Sequence, residues 1–435
     1  MSEANKVLKS SSLLILSQFI VRSMGLISTL VIARLLIPED FGILAISMLV
    51  IACTEMLTMT GATQYIHQKK EASKSDVDTA WTANILIKCV IAVLIVGIAP
   101  FAADFYDDQR LHWSISILSS LMVMSAFSNP GLMLLEKAIN YKKSITIDIA
   151  KKMLSAIFTI LFAWTLGDYR ALIYGHLVSA FLSLVLSYVL IVYRPQFSLA
   201  NFKEQWSFSK YALLMGAMGF CRSHIDTLIV SKFYSTAMLG AYNTIKYVSM
   251  MPSSEIIIPA LKPMLATFAK KTDSKEDLLH QFTLTVLILS LLIIPIGVFL
   301  NVNSYQVVSI LLGDKWIEYS YIFEYLVLIT ITSSFYVVAG QMLIACGHIK
   351  YSFRFNMGAF LILVVILFSV INYELKYFLM CKVAFEICAA FILFILVMLF
   401  VLRVNPLKIL MTLISSFLLQ YIYANFLHSI EFNQT

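Results

Sequence analysis

Long apolar runs alternate with short polar segments along the whole chain. A transmembrane helix needs about 20 mostly apolar residues to cross the bilayer core, and thirteen runs have roughly that length. The runs lie near residues 11–33, 41–60, 81–103, 112–135, 149–166, 171–193, 210–231, 239–260, 281–301, 321–345, 356–372, 377–402 and 409–427. They are continuous rather than alternating, unlike the strands of a membrane barrel. The pattern predicts an all-α polytopic membrane protein with about 12 or 13 transmembrane helices.

Composition and charge support a membrane location. The chain is 60% apolar and 13% charged, whereas soluble domains are typically about 25% charged. Cytoplasmic loops of membrane proteins collect Lys and Arg. With a cytoplasmic N-terminus, the loops on that side hold 21 Lys and Arg residues and the opposite loops hold six. This distribution predicts a cytoplasmic N-terminus, and it explains the net charge of +7 without a nucleic-acid partner.

The sequence contains no pattern typical of catalysis or of a metal centre. All six cysteines lie in apolar runs or at their cytoplasmic edges, and no Cys-x-x-Cys or Cys/His spacing occurs. The polar segments between the runs are too short for a soluble catalytic domain. Residues 1–12 are polar and precede a run too long for a signal-peptide core, so a retained first helix is expected. We therefore expect a protein that is not an enzyme, with no metal site.

Two parts of the chain repeat each other at a separation near 200 residues. Residues 30–42 match residues 228–240 at an offset of 198, with a cation and a glycine in the same places. Residues 69–76 match residues 270–277 at an offset of 201, including two lysines, a Ser-Lys pair and an aspartate. An arginine also recurs at positions 22 and 222. Together these matches indicate two related halves.

The repeat predicts the domain organisation. Six runs separate the two copies, so both halves enter the membrane in the same direction and form parallel bundles. We predict an N-terminal six-helix bundle over residues 10–193, its repeat over 210–402, and an extra helix with a tail over 403–435. Parallel halves are typical of transporters, with a central cavity near the midplane and alternating access by rocking. Asn129-Pro130-Gly131 and Pro252 interrupt runs, either as functional breaks or as inert kinks.

Polar residues recur at helical spacing in the first run. A cation at the bilayer centre costs about 2.5–3.5 kcal/mol. Gln18, Arg22, Gly25 and Thr29 follow each other at intervals that place them on one helix face. This stripe predicts a face that lines a water-filled cavity, with Arg22 and Gln18 as substrate-binding residues. The alternative is an Arg22 buried against the carbonyl groups of a neighbouring helix.

Other cations lie inside apolar runs. Arg222 is the repeat copy of Arg22, and Asp226 follows it by one helical turn. The two side chains either neutralise each other or form a pair that opens when substrate arrives. Lys246 and Lys88 lie in two further runs. Arg222, Lys246 and Lys88 are therefore predicted to bind substrate together with the first-run residues.

Three acidic residues inside apolar runs are candidates for ion coupling. They are Asp226, Glu55 and its repeat copy Glu255. Membrane-embedded acids in transporters often carry a proton or a sodium ion. The glutamates could equally be packing partners of the arginines. No cofactor is expected beyond such a coupling ion.

Seven short segments together carry a family resemblance. They are residues 31–42 (VIARLLIPEDFG), 61–62 (GA), 68–70 (QKK), 207–208 (SF), 226–230 (DTLIV), 239–242 (LGAY) and 311–316 (LLGDKW). These segments resemble the bacterial Wzx-type polysaccharide flippases, most closely the colanic-acid and teichuronic-acid exporter branch. The resemblance covers about residues 10–400. Thirteen apolar runs depart from the twelve or fourteen spans expected of the family.

The resemblance implies the fold of the multidrug/oligosaccharidyl-lipid/polysaccharide exporter superfamily. It implies transport of an undecaprenyl-pyrophosphate-linked oligosaccharide across the bacterial inner membrane, for capsule, exopolysaccharide or O-antigen assembly. The lipid bilayer and a polysaccharide polymerase are the implied partners. Two other classes stay open: a drug or cation/proton antiporter of the same fold, and a membrane polysaccharide polymerase or ligase. The second would need a large extracytoplasmic loop, which the sequence lacks.

Overall fold

The computed structural model describes most of the chain. The described residues are 3–56, 58, 65–66, 69, 73–138, 140–257, 261, 267–268, 271 and 274–403. Within these ranges every regular element is a helix. The prediction of an all-α protein is confirmed. The predicted span 409–427 and the tail that follows it lie outside the described residues.

The chain separates into two compact units, Met1–Asn243 and Thr244–Thr435. The helices that begin in the first unit are α1 (Glu3–Leu35), α2 (Pro38–Met56), α3 (Lys74–Tyr106), α4 (Arg110–Leu118), α5 (Ser120–Ala126), α6 (Gly131–Lys137), α7 (Lys142–Leu166), α8 (Arg170–Leu190), α9 (Phe202–Phe233) and α10 (Thr236–Met251). The unit boundary therefore falls inside α10, beyond the repeat boundary between residues 193 and 210. The two predicted six-helix bundles were inferred from the sequence repeat and not from packing, and they stay a prediction.

A π-helix, Pro252–Ile257, continues α10 in the second unit. The later helices are α11 (Lys275–Val302), α12 (Ser304–Leu311), a short 3₁₀ helix (Asp314–Tyr319), α13 (Ser320–Ala345), α14 (Ile349–Ser369), α15 (Leu375–Leu396) and a second π-helix (Val397–Leu402). Pro252 has no backbone N–H, so the regular hydrogen-bond pattern cannot continue through it. The predicted interruption at Pro252 is confirmed as a change of helix type.

Seven described segments are long and apolar enough to cross a membrane. They are Leu16–Leu35, Lys74–Tyr106, Arg170–Leu190, Lys275–Val302, Asp314–Ala345, Ile349–Ser369 and Leu375–Leu402. Arg110–Ala126 and Gly131–Lys137, bent by 58°, form an eighth if they are counted as one broken span. Helices α2, α7, α9 and α10 occupy four more of the predicted spans but are not among the seven. Most of the predicted charged site residues lie on these helices and on α1 and α3.

In the first unit, α1 packs against α7, and α7 packs against α8. Ile32 and Leu36 at the end of α1 share an apolar cluster with Ala163 near the end of α7. These two helix ends therefore lie side by side. The break between α5 and α6 occurs where Asn129-Pro130-Gly131 predicted one, and the Asn129 side chain accepts a hydrogen bond from the Gly131 N–H at 2.9 Å.

In the second unit, α13 packs against both α11 and α15. Phe282 of α11 and Phe394 of α15 are buried in the core, with ring centroids 5.3 Å apart. Hydroxyl groups join α13 to the segment before and within the first π-helix. The Thr330 hydroxyl donates to the Ser249 carbonyl at 2.8 Å, and the Ser253 and Ser334 hydroxyls lie 3.0 Å apart. These buried hydroxyls are satisfied without charge.

Candidate substrate and coupling-ion site

The predicted polar stripe on α1 is exposed over part of its length. Gln18 and Arg22 are exposed, whereas Gly25 is buried and Thr29 is half-buried. The Thr29 hydroxyl donates to the Gly25 carbonyl at 2.9 Å, so it is satisfied within the helix. Arg22 lies 13 residues before the end of α1, which is about 20 Å along the axis. The accessible part of the stripe is therefore Gln18 and Arg22, far from the helix end.

Arg222 and Asp226 of α9 differ in their surroundings. Arg222 is exposed, and Asp226 is buried. The Tyr242 hydroxyl of α10 donates to one Asp226 carboxylate oxygen at 2.5 Å, and the Thr227 N–H donates to the other at 2.8 Å. Asp226 thus accepts hydrogen bonds from two helices. Arg222 lies 11 residues before the end of α9, about 16 Å along the axis.

Lys88 and Glu55 come together in the first unit although they are distant in sequence. The Lys88 ammonium donates to the Ser125 hydroxyl of α5 at 2.9 Å. Glu55, exposed at the end of α2, acts electrostatically on Lys88. Glu55 was predicted only as a coupling residue or as a partner of the arginines. The electrostatic interaction with Lys88 is one that the sequence did not predict, and the predicted roles of Glu55 stay predictions.

Two predicted site residues lie in the second unit. Lys246 is half-buried on α10, and Glu255 belongs to the π-helix Pro252–Ile257. The Glu255 side chain lies outside the described part of the structure. Gln18, Arg22, Glu55, Lys88, Arg222 and Asp226 lie in the first unit.

Sequence reasoning missed one deep cation. Lys152 was counted among the cytoplasmic loop residues, but it lies inside α7, 14 residues before the helix end. That separation is about 21 Å along the axis, close to the value for Arg22 on the adjacent α1. Lys152 is therefore a further candidate for anion binding. The charged Lys142–Lys152 stretch resembles a loop in composition, and only the length of α7 reveals its depth.

Two repeat-related segments, at the starts of α2 and α10, are in close contact. A Cβ atom at Gly42 of α2 would collide with the Thr236 carbonyl of α10, and a Cβ atom at Gly240 would collide with the Pro38 carbonyl. Pro38 corresponds to Thr236, and Gly42 to Gly240, at the offset of 198. Each glycine therefore meets the carbonyl group four residues before the other. We call this contact the glycine crossing.

Helices α3 and α9 are also in contact. The Lys232 ammonium donates to the Phe105 carbonyl at 2.6 Å and lies 3.6 Å from the centre of the Phe105 ring. The Tyr106 and Ser231 hydroxyls lie 3.1 Å apart. Because α9 and the start of α10 are bound to α2 and α3 in this way, they fall in the first compact unit. The charge pattern predicts that these contacts face outside.

An ion-pair cluster lies in the polar segment after α3. The Arg110 guanidinium contacts the Asp108 carboxylate at 2.8 Å and the Glu39 carboxylate at 2.5 Å. Burial alone would raise the pKa of Asp108, but the hydrogen bonds from Arg110 outweigh it and leave that pKa below its usual value. This cluster joins the start of α2 to the start of α4 and is structural in character.

These features define a class of protein. Helices long enough to cross a membrane, with arginines several turns from the helix ends, are typical of a multi-pass membrane transporter. The chain belongs to the family described as polysaccharide biosynthesis protein, which matches residues 31–321. The resemblance predicted from short segments is thereby confirmed.

Individual proteins agree with the family match. The lipopolysaccharide biosynthesis protein WzxC of Escherichia coli K12 is 24% identical over 362 residues, covering 82% of this chain and 73% of WzxC. The lipid II flippase MurJ in an inward closed conformation has a TM-score of 0.72 at 14% identity, covering 94% of this chain and 91% of MurJ. An inward-facing multidrug-resistance MATE transporter of the MOP superfamily has a TM-score of 0.62 at 14% identity, covering 86% of this chain and 92% of its own. The transporter fold implied by the resemblance is confirmed.

Proposed function

We propose that the protein moves an undecaprenyl-pyrophosphate-linked oligosaccharide from the cytoplasmic to the outer leaflet of the bacterial inner membrane. The product would serve capsule, exopolysaccharide or O-antigen assembly, with a polysaccharide polymerase as the partner that receives it. The observation that carries this proposal is the family match over residues 31–321 on a fold shared with a lipid II flippase. The N-terminus would be cytoplasmic, as the charge distribution predicts.

The deep cations supply the chemistry for an anionic head group. Arg22 and Arg222 are exposed on the protein surface, yet they lie about 20 and 16 Å from their helix ends. A cation at such depth in lipid is costly, so both side chains fit a polar cavity that holds a negative charge. Arginine presents a planar set of donors that matches pyrophosphate oxygens. Gln18, Lys88 and Lys246 would assist, and the prenyl chain would stay in lipid between helices.

The buried carboxylate of Asp226 is suited to ion coupling. It accepts hydrogen bonds from the Tyr242 hydroxyl and the Thr227 N–H. Loss of the Tyr242 hydrogen bond would free one oxygen for a proton or a sodium ion. Because Tyr242 lies on α10 and Asp226 on α9, this exchange would couple ion binding to a movement between the two helices. Glu55 and Glu255 are proposed to act as charge partners or as further ion sites.

Alternating access requires the glycine crossing to open and close. The predicted halves, residues 10–193 and 210–402, would rock against each other during transport. Opening would separate Gly42 from Thr236 and Gly240 from Pro38. The same step would release Lys232 from the Phe105 carbonyl. The contacts are short and mostly uncharged, so they can part without leaving a buried ion.

A drug or cation antiporter is the second candidate, because the MATE transporters share the fold. Exposed Arg22 and Arg222 would repel a cationic drug, which favours the anionic lipid-linked substrate. The leaflet distribution of undecaprenyl-linked oligosaccharide in cells separates the two functions. Cells without the protein, or with the Arg22→Ala/Arg222→Ala variant, should accumulate this lipid on the cytoplasmic face, and the wild-type protein should relieve the accumulation. An unchanged distribution in cells without the protein would reject the flippase.

A further inference from the structure

The segment between α8 and α9 is extended and lies along the start of α3. This segment, residues 191–201, is called the linker segment below. It has no helical hydrogen bonds over residues 191–199, so its backbone N–H groups need partners from elsewhere in the protein. Side chains of α3 provide them.

Side-chain acceptors on α3, among them Asp76, Asp78 and Thr82, bind the linker segment. Asp78 accepts from the Tyr193 hydroxyl at 2.7 Å and from the Gln196 N–H at 3.2 Å. The Thr82 hydroxyl accepts from the Ser198 N–H at 3.0 Å. Asp76 accepts from the Asn201 side-chain amide at 2.7 Å. The linker segment is thus held at successive points over its length.

The three acceptor side chains Asp76, Asp78 and Thr82 are buried. Asp76 exposes 0%, Asp78 4% and Thr82 5% of its surface. Asp78 and Thr82 are four residues apart, which places them on one face of α3. The Phe197 ring packs 5.0 Å from the Trp81 ring on the same helix. Polar and apolar contacts therefore fix the same stretch of chain.

The first turn of α9 is attached to the same place. The Gln205 side-chain amide is buried and donates to the Asp76 carbonyl at 2.8 Å. The end of the linker segment and the start of α9 are therefore both bound to the first turn of α3. A chain bound in this way cannot serve as a free tether between the predicted halves.

The repeat copy of this region distinguishes α3 residues that begin the helix from those that bind the linker segment. At the offset of 201, Asp76 corresponds to Asp277 and Thr82 to Thr283, but Asp78 corresponds to Leu279. Ser274 and Asp277 form a helix start at α11, as Ser73 and Asp76 do at α3. A carboxylate at position 78 is therefore not required to begin the helix. Its described partners belong to the linker segment.

We propose that Asp78 and Thr82 are positioning residues of the transport cycle, which fix the linker segment on α3 so that the first turn of α9 moves with the first unit. Rocking would then begin within α9 or beyond it, and not in the linker segment. The role in transport rests on the proposed function. The attachment of the linker segment can be tested without it.

Hydrogen exchange of the purified full-length protein in lipid nanodiscs tests the attachment. Thr82→Val removes the acceptor for the Ser198 N–H and keeps the side-chain shape, and Tyr193→Phe removes one donor to Asp78. Each variant should exchange the amides of residues 194–200 about five to ten times faster than wild type, as expected for one lost hydrogen bond. Thr283→Val is the matched control, and Thr82→Ser should restore slow exchange. Wild-type rates in both Thr82→Val and Tyr193→Phe would overturn the attachment.

Transport by the same variants in vesicles tests the positioning role. The probe is undecaprenyl pyrophosphate that carries a short fluorescent oligosaccharide. Thr82→Val should move the probe several-fold more slowly, with unchanged probe affinity and an unfolding temperature lowered only by the loss of one hydrogen bond, whereas Thr283→Val should match wild type in transport. Faster exchange with wild-type transport would overturn the positioning role. If wild-type protein fails to move the probe, the proposed function fails, while the exchange experiment still decides the attachment.

Discussion

The starts of α3 and α11 have matching sequences but different surroundings. Ser73 accepts from the Asp76 N–H at 3.2 Å, and Ser274 accepts from the Asp277 N–H at 3.3 Å, so a serine hydroxyl caps both helices. In α3, the Asp76 carboxylate also accepts from the Ser73 N–H at 2.9 Å. Asp76 is fully buried, whereas Asp277 is exposed. The Asp76 carboxylate contacts the Lys69 ammonium at 2.9 Å, and this hydrogen bond raises the pKa of Lys69.

The difference lies in tertiary packing. In the first copy, the linker segment covers the helix start and adds Asn201 as a further donor to Asp76. A local capping sequence therefore sets where each helix begins. The role of the aspartate is set by the chain that packs on it.

The largest difference in stability between the two copies is expected at the aspartates. Asp76→Ala should lower the free energy of unfolding by about 3 kcal/mol, because it removes a charged acceptor that binds Lys69, Asn201 and the Ser73 N–H. Asp277→Ala should cost only about 0.5 kcal/mol, the value of an exposed acid at a helix N-terminus. Thermal unfolding of both purified variants in detergent measures the difference. Equal destabilisation would contradict the distinction between the two copies.

The glycine crossing offers a pair of repeat positions with matching roles. Gly42→Ala and Gly240→Ala should each destabilise the protein by about 2 kcal/mol, because the new methyl group collides with a backbone carbonyl. Gly97 of α3 is the matched control, since a Cβ atom there meets open space. Gly97→Ala should be neutral or slightly stabilising because alanine favours helix. Thermal unfolding checks all three, and tolerance of alanine at positions 42 and 240 would reject the close contact.

Loss of the capping serine hydroxyl should have a smaller effect on stability, equal in both copies. Ser73→Ala and Ser274→Ala each remove the hydroxyl that caps a helix, which costs about 1 kcal/mol. Similar shifts in the unfolding temperature would show that the serine cap contributes equally in the two copies, although only Asp76 is buried. A shift confined to Ser73→Ala would mean that its further hydrogen bond to Asp76 dominates.

Much of the fold could be predicted because apolar runs of about 20 residues have few stable conformations in lipid. The helices, the break at Pro130 and the change of helix type at Pro252 follow from local chemistry. The number of membrane-crossing helices was harder to predict from the sequence. Helices such as α2 and α7 carry several charges, and α10 has only 16 residues, so apolar composition alone does not establish that they cross the membrane.

The site was predictable only residue by residue. Arg22 and Arg222 stand out because a cation in an apolar run is costly. The Tyr242 hydroxyl that binds Asp226 comes from the next helix, and no spacing rule within one helix connects the two. The pairing of Lys88 with Ser125, and the attachment of the linker segment to Asp78 and Thr82, likewise depend on contacts between distant parts of the chain.

The most direct test of the central claim measures lipid translocation by the purified protein. Vesicles would contain undecaprenyl pyrophosphate with a short fluorescent oligosaccharide, and a membrane-impermeant quencher would report its arrival in the outer leaflet. Wild-type protein and the Arg34→Ala control should speed translocation equally. Arg22→Ala/Arg222→Ala should slow it by more than about tenfold, since charge-assisted hydrogen bonds contribute about 1.5–3 kcal/mol each. Wild-type vesicles no faster than protein-free vesicles, or a double variant as fast as wild type, would contradict the account.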